Sequence, residues 1–336
     1  MNISVLGAGT WGTALAILLA ENKHHVTIWS ALPKEVEELD QNRNAIKNLP
    51  GAYLPESVSV TANLNEALKG PDMIVMAVAS VYVRETARKI SPMIPEGMII
   101  VNVAKGIEEA TLKTLTDVIE DEIPQAEVAV LSGPSHAEEV SRKIPTTIVA
   151  GAKKKQTADT IQDAFMNEFF RVYTSPDVIG IELGGSLKNV IALAAGVIDG
   201  LGYGDNTKAA LMTRGIVEIA RLGIQMGGKY ETFSGLSGMG DLMVTCTSKH
   251  SRNRNAGVLI GRGMTADAAM KEVNQVVEGV YSAKAALKLG KQYGVELPIV
   301  EQVNKVLFEN KPAKDALYDL LIRQKTDEHE SFEWQE

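Results

Sequence analysis

Ile3-Ser-Val-Leu-Gly-Ala-Gly-Thr-Trp-Gly12 is a short apolar strand running straight into Gly-x-Gly-x-x-Gly. Gly7 allows the tight turn, Gly9 lets the backbone approach a pyrophosphate, and Gly12 lets the next helix pack close to a sheet. Free N–H groups at that helix's start then attract the anion. Glycine-rich turns are common, so the motif alone is weak. Here a strand precedes it and an apolar helix over residues 13–21 follows, the context that dinucleotide binding requires.

Outward from this turn, the first half of the chain alternates. Apolar runs at 26–29, 73–78, 98–103 and 128–131 predict strands, with further strands at 146–150 and 170–173. Helical stretches such as 83–90 and 112–122 lie between them. Such alternation predicts a parallel sheet covered on both faces, with ligands beyond the carboxyl ends of its strands. After about Asp177 strands nearly vanish. Residues 178–201, 207–226, 265–271, 282–290 and 298–307 all read as helices, separated by glycine-rich turns. The expected architecture is an α/β Rossmann-type, doubly wound domain over residues 1–177, followed by an all-α domain over 178–336. The polar, acidic residues from Lys325 predict a frayed tail.

The 336 residues suffice for about two domains. A hydrophobic share of 45% and a charged share of 23% fit a globular protein. The formal net charge of -8 argues against a generic nucleic-acid binder, while a few local cations would still admit an anionic substrate. The N-terminus has no basic segment and enters a strand at once, so no signal peptide is expected. The longest apolar run, 190–198, falls far short of the roughly 18 residues of a membrane span, so no membrane partner is expected. One cysteine, Cys246, excludes an intramolecular disulfide and fits the reducing cytoplasm. Within Leu-Met-Val-Thr-Cys-Thr it reads as a small buried side chain rather than a catalytic thiol.

Reducing a carbonyl with a nicotinamide needs a proton donor for the developing alkoxide and groups that fix the substrate. A lysine serves when burial or a neighbouring cation lowers its pKa. Lys188 stands in Gly184-Gly-Ser-Leu-Lys-Asn-Val-Ile-Ala-Leu-Ala-Ala195, where apolar residues flank one Lys-Asn pair. The pattern leaves it open between a snorkelling surface residue and a deliberate interior charge. It leaves Asn189 open between orienting a substrate and bonding its helix neighbours. Lys105, in Asn102-Val-Ala-Lys-Gly106, ends a buried strand at the ligand edge of the sheet. Ser132-Gly-Pro-Ser135 offers hydroxyls and backbone N–H groups near the same edge, or serves as an ordinary β-turn. His136 follows. The five histidines have no metal-ligand spacing, so it is expected to stand behind the substrate-contacting residues, and no metal is expected. Arg252 and Asn253 suit a phosphate, a guanidinium fork beside neutral donors, although composition alone favours a solvated basic turn.

Several separate segments now converge. Gly7-Ala-Gly-Thr-Trp-Gly12, Ala104-Lys-Gly106, Leu131-Ser-Gly-Pro-Ser-His-Ala-Glu-Glu139, Gly184-Gly-Ser-Leu-Lys-Asn189 and Gly200-Leu-Gly-Tyr-Gly-Asp-Asn206 follow one another along the chain. Phe233-Ser-Gly-Leu-Ser-Gly-Met-Gly-Asp241, Cys246-Thr-Ser-Lys-His-Ser-Arg-Asn253 and Val277-Glu-Gly279 complete the series. In this order, over nearly the whole chain, they closely resemble the bacterial-type NAD(P)-dependent glycerol-3-phosphate dehydrogenases. The resemblance implies reversible reduction of dihydroxyacetone phosphate to sn-glycerol 3-phosphate, for glycerophospholipid synthesis, with NAD(P)H as cofactor. It implies Lys188 as the proton donor and acceptor, Lys105 between nicotinamide and substrate, and Asn189 and Asp241 holding substrate and Lys188. Gly133, Ser135, Ser251, Arg252 and Asn253 would bind substrate, with Arg252 as the main phosphate grip. Thr10, Trp11, Lys105, Ala137, Arg252, Val276 and Glu278 would contact the cofactor, beside Gly7, Gly9 and Gly12. The family is commonly homodimeric.

Repulsion between Lys105 and Lys188 is expected to lower the pKa of Lys188. One departure concerns the end of the second strand, Val26-Thr-Ile-Trp29, which leads into Ser30-Ala-Leu-Pro-Lys34. An acid there would hold a ribose 2′-hydroxyl and an arginine a 2′-phosphate. Serine permits both, so the choice between NADH and NADPH stays open, with Lys34 read as a surface lysine at a helix start. Two other readings compete: a β-hydroxyacid or sugar-phosphate dehydrogenase with a Lys-Asn pair, and a nucleotide-sensing protein without turnover. Substrate choice separates the first. Lys188, Lys105 and Asp241 speak against the second, since a sensor needs no proton donor.

Overall fold

The computed structural model describes residues 1–328 except 45, 47, 48 and 275. Of the expected tail, 325–328 are irregular and exposed, and 329–336 lie outside the described residues. One sheet carries the first half. Its strands are β1 (Asn2–Leu6), β2 (His25–Trp29), β3 (Ser59–Thr61), β4 (Met73–Met76), β5 (Ile99–Asn102), β6 (Glu127–Ser132), β7 (Thr146–Ala152) and β8 (Phe170–Ser175). They lie in the order β3-β2-β1-β4-β5-β6-β7-β8, so the chain moves outward from β1 to β3 and returns to start again at β4. The crevice between β1 and β4 is the switch point where such sheets bind ligands.

Side chains alternate across the sheet, and both faces are buried. Ile3 and Val5 of β1 and Met73 and Val75 of β4 join one core with α1 (Thr10–Glu21), through Leu15, Leu18 and Leu19. Leu6, Ile74 and Met76 point the other way. The helices α2 (Pro33–Gln41) and α3 (Leu64–Ala67) lie along the chain between β2 and β4. Leu6, Ile74 and Met76 meet Val83, Ala87 and Ile90 of α4 (Val83–Ile90) and Leu115, Val118 and Ile119 of α5 (Leu115–Glu122). Burial on both faces is why these strands read as continuous apolar runs rather than alternating ones.

The expected parallel sheet holds for β1 to β6 only. β7 pairs antiparallel with β6, and β8 pairs parallel with β7, so both run against the other six. The link after β6 contains one helix, α6 (Ala137–Val140), of four residues. At 1.5 Å per residue that helix spans about 6 Å, too little to carry the chain back along a strand, so it turns instead. α7 (Lys155–Phe165) then joins β7 to β8 and buries Ile161 and Phe165 in the first core.

The second half is helical throughout its described part. α8 (Val178–Gly200) is its axis, surrounded by α9 (Asp205–Gln225), α10 (Tyr230–Ser234), α11 (Asp241–Thr247), α12 (Arg252–Gly261), α14 (Glu278–Tyr293) and α15 (Pro298–Phe308). α13 (Ala266–Val273) and α16 (Ala313–Leu321) close the outside. α8 is long and apolar enough to cross a membrane, with mean hydropathy 1.4, yet 89% of that stretch is buried within the protein. The uninterrupted run 190–198 understates it because Lys188-Asn189 breaks the pattern in mid-helix.

α8 and α12 touch backbone to backbone. A Cβ on Gly257 would lie 2.0 Å from the Leu193 carbonyl oxygen, and one on Gly261 2.4 Å from that of Val197. Reciprocally, a Cβ on Gly196 or Gly200 would lie 2.0 or 2.3 Å from the carbonyl oxygens of Arg254 and Val258. Two glycines four residues apart on each helix thus clear one crossing. Gly257→Ala is expected to lower the urea midpoint by the equivalent of about 3 kcal/mol, from overpacking that the backbone cannot relieve. Gly204→Ala, where a Cβ would meet nothing within 4 Å, should stay within about 0.5 kcal/mol of wild type in the same melt.

Candidate active site

The glycine turn is shaped by close contacts. Gly7 adopts φ +119°, and a Cβ there would strike the Ala77 carbonyl at 2.6 Å. A Cβ on Gly12 would meet the Gly7 oxygen at 2.0 Å, so the helix is held against its own entry strand. Gly9 instead faces open space, with nothing within 4 Å of where its Cβ would stand. It is also the N-cap of α1, where no side chain caps the helix and no acid occupies the first turn. Unpaired N–H groups beside an open volume fit a pyrophosphate.

Around this turn lies a cavity of about 300 Å³. Gly9, Thr10 and Trp11 form one wall, and Ala77 to Ala79 after β4 and Val103 to Lys105 after β5 continue it. Ser135, His136 and Ala137 come from the loop after β6. The helical half contributes Lys188, Asn189, Asp241, Ser251, Arg252, Asn253, Val276 and Glu278. The cavity thus gathers all but three of the expected site residues. Gly7 and Gly12 shape the turn behind it, and Gly133 reaches it through its carbonyl oxygen, which accepts from Lys105 Nζ at 3.1 Å.

At the centre two lysines share one carboxylate. Lys188 Nζ lies 2.8 Å from Asp241 Oδ1, and Lys105 Nζ 2.5 Å from Asp241 Oδ2. Lys188 is 5% exposed and Asp241 1%. Lys188 also donates to Thr245 Oγ1 at 2.5 Å, and that hydroxyl lies 2.6 Å from the Asp241 carbonyl oxygen one turn earlier in α11. Burial lowers the Lys188 pKa from 10.5 to about 8; Asp241 pulls it upward and Lys105 pushes it down. The expected repulsion is therefore present, but removal from water is the larger cause. Burial likewise pushes the Cys246 thiol up to about 12, so it stays protonated and unreactive.

Asp241 is placed by an unusual turn. Leu236–Gly240 is π-helical, and it presses on α8 so tightly that a Cβ on Gly184 would lie 2.6 Å from the Ser237 oxygen. Single π turns gather at functional sites for this reason: they re-aim one side chain. Asn189 makes no hydrogen bond to Lys188 among the described residues. Its Oδ1 accepts from Asn253 Nδ2 at 3.0 Å, and Asn253 Oδ1 accepts from Gly279 N at 2.8 Å, tying α8, α12 and α14 together. Ser251 caps α12 by accepting from Arg254 N, which leaves Arg252 exposed at the helix start rather than in a loose basic turn. Arg254 is held by Asp199, whereas Arg252 has no ion pair with a described residue. Glu278 accepts from Ser80 Oγ at 2.5 Å, across the two halves of the chain.

His136 lines the same cavity. Burial, with the Lys188 charge next in size, lowers its pKa, and its buried Nε2 has no hydrogen-bond partner among the described residues. Two contributors had no role in the sequence reading. Thr245 could have been found one helical turn after Asp241. Glu182, an acid in the first half of the apolar α8, accepts from Asn102 Nδ2 at 2.8 Å and from Thr116 N at 3.0 Å and Oγ1 at 2.6 Å. Asn102 in turn bonds both polar backbone groups of Ala104, so the helix bearing Lys188 is fastened to the loop bearing Lys105.

Comparison with known proteins agrees along the full length. Residues 2–158 match the N-terminus, and 177–318 the C-terminus, of NAD-dependent glycerol-3-phosphate dehydrogenase. The chain is 61% identical over 332 residues to glycerol-3-phosphate dehydrogenase (NAD(P)+) of Agathobacter rectalis, covering 99% of each. It is 59% identical to the enzyme of that name from Fusobacterium nucleatum, covering 99% of this chain and 100% of the relative. The crystal structure of glycerol-3-phosphate dehydrogenase from Coxiella burnetii superposes with a TM-score of 0.92 at 36% identity, covering 96% of this chain and 99% of that one. A cavity joining a dinucleotide turn to a buried lysine, built on this fold and these likenesses, leads to one assignment: the chain belongs to the NAD-dependent glycerol-3-phosphate dehydrogenase family.

Proposed function

We propose that this chain is an NAD(P)-dependent oxidoreductase that reversibly reduces dihydroxyacetone phosphate to sn-glycerol 3-phosphate. The observation that carries the reading is Lys188, buried, paired with Asp241 and opening onto the same cavity as the glycine turn. When bound, the nicotinamide supplies or accepts the hydride. Lys188 gives a proton to the ketone oxygen during reduction and takes it back during oxidation. A group with a pKa near the working pH does both well. Lys105 adds positive charge beside the developing alkoxide. Asp241 keeps the two ammonium groups together, and Thr245 fixes the Lys188 rotamer. Arg252, Ser251 and Asn253 at the start of α12 hold the phosphate, combining a guanidinium fork with a helix N-terminus. Gly133 and Ser135 contact substrate, Asn189 orders Asn253, and Thr10, Trp11, Ala137, Val276 and Glu278 flank the cofactor.

The assignment divides the chain at the β8–α8 junction, with the dinucleotide on residues 1–177 and most of the phosphate grip on 178–336. The product is the backbone of glycerophospholipids, and the family likeness supports a homodimer. The single buried cysteine supports a cytoplasmic location, and the acidic balance supports small molecules rather than nucleic acid as partners.

Mixing purified protein, reduced nicotinamide and dihydroxyacetone phosphate should give loss of nicotinamide absorbance; 3-hydroxy acids should give no gain of it with the oxidised cofactor. Absence of turnover with either cofactor, despite cofactor binding, would sink the reading. Lys188→Ala should lower kcat by about 10²–10⁴ with cofactor affinity unchanged. With Lys188 near 8, reduction should slow as pH rises through about 8, because the donor loses its proton, and oxidation should speed up over the same range. Flat pH profiles in both directions would remove Lys188 as the titrating group. Arg252→Ala should cost about 1.5–3 kcal/mol of substrate binding, read as a raised KM for dihydroxyacetone phosphate.

A further inference from the structure

The end of β2 carries a charge that its own sequence lacks. Ser30, the residue after the strand, is 4% exposed, and its backbone N–H donates to the Thr61 oxygen across the sheet. Its hydroxyl donates to Oε2 of Glu35, and its oxygen accepts from Leu32 N at 3.2 Å. Glu35 belongs to the first turn of α2, which begins at Pro33 and folds that turn back over the strand end. A carboxylate is therefore held against the residue that follows the strand. Trp29, the last residue of β2, accepts from Gly7 N at 2.8 Å, so the serine that holds this carboxylate directly follows a residue bonded to the glycine turn. Oε1 of Glu35 has no hydrogen-bond partner among the described residues.

This is the position at which a doubly wound dinucleotide site meets the adenosine ribose. The neighbouring cations do not offset the acid. Arg43 is engaged by Asp40 and by the Pro55 and Val58 oxygens at 2.9 and 3.1 Å. Lys34 is exposed and bonds neither Ser30 nor Glu35. A ribose 2′-hydroxyl can donate to the open Oε1, whereas a 2′-phosphate would bring a second anion against it. Specificity then comes from repulsion as much as from attraction.

We propose that Glu35, clamped by Ser30 at the end of β2, reads the adenosine ribose and commits this chain to NADH over NADPH. The proposal rests on the nicotinamide-dinucleotide reading of the Gly7–Gly12 turn and deepens it. The test is equilibrium titration of wild type, Glu35→Gln and Glu35→Ala with NADH and NADPH, and with AMP and 2′-phospho-AMP as fragments, beside a thermal melt of each variant. Wild type should bind NADH at least about tenfold tighter than NADPH, the equivalent of one charged hydrogen bond gained or lost. Glu35→Ala should weaken NADH and strengthen NADPH, bringing the ratio within about threefold of one, with the fragments following. Glu35→Gln keeps the shape and removes the charge, so it should recover NADPH binding without lowering the melting temperature. A wild-type ratio below tenfold, or a ratio unchanged in both variants, overturns the proposal. Normal NADH binding with no turnover of dihydroxyacetone phosphate would instead strike the substrate assignment and leave the role of Glu35 standing.

Discussion

An ammonium group buried in the middle of an apolar helix is tolerated only beside an opposite charge and with its donors satisfied. Lys188 meets both conditions through Asp241 and Thr245. Much of the surrounding architecture follows from that need. α11 must begin at Asp241, the π turn before it must lie on α8, and α8 must carry glycine at 184 to let that turn approach. The same carboxylate holds Lys105, so the sheet edge and the helical half meet at one atom pair on each side of Asp241. Removing Asp241 would leave two cations facing each other with one of them buried, a far larger loss than a surface ion pair.

Glycine sets the distances elsewhere too. The α8–α12 crossing brings two backbones into contact, and only that closeness lets Asn189 on one helix bond Asn253 on the other. The start of α14 is held the same way, since a Cβ on Gly279 would lie 2.5 Å from the Asn189 oxygen. The Ser251–Asn253 start of α12 is therefore positioned by helix packing rather than by a loop, which places it with the precision of the core.

Much of this was legible beforehand, and for physical reasons. Strands buried on both faces are apolar throughout, so β1, β2, β4, β5 and β6 stood out, and the glycine spacing marked the turn. β3 did not, because three residues of an edge strand, Ser59–Thr61, carry too little apolar signal. Strand composition carries no direction, so the reversal of β7 and β8 was hidden. Lys188 could be recognised but not placed: a lysine in an apolar run looks the same whether it snorkels out or points in, and only the packing of α11 and α12 around α8 decides. The Ser30–Glu35 pair was hidden for another reason. Ser30 lies just past β2 and Glu35 in the first turn of α2, and a serine five residues before an acid carries no pattern of its own.

The reversed strands have a consequence for where Lys188 ends up. Because β7 and β8 run downward beside β6, β8 ends with Ser175 opposite Gly151, which lies opposite Val130 of β6, and α8 starts beside them. Its first turns climb past β7 and β6, with Ile181 against Gly151 and Val130, and Gly185 reaches Ser132 at the upper rim. Ten residues from Val178 to Lys188 amount to a rise of about 15 Å. The two backward strands act as a starting block: they begin the helix within the height of the sheet, so that its midpoint, not its first turn, meets Asp241 and, through it, Lys105.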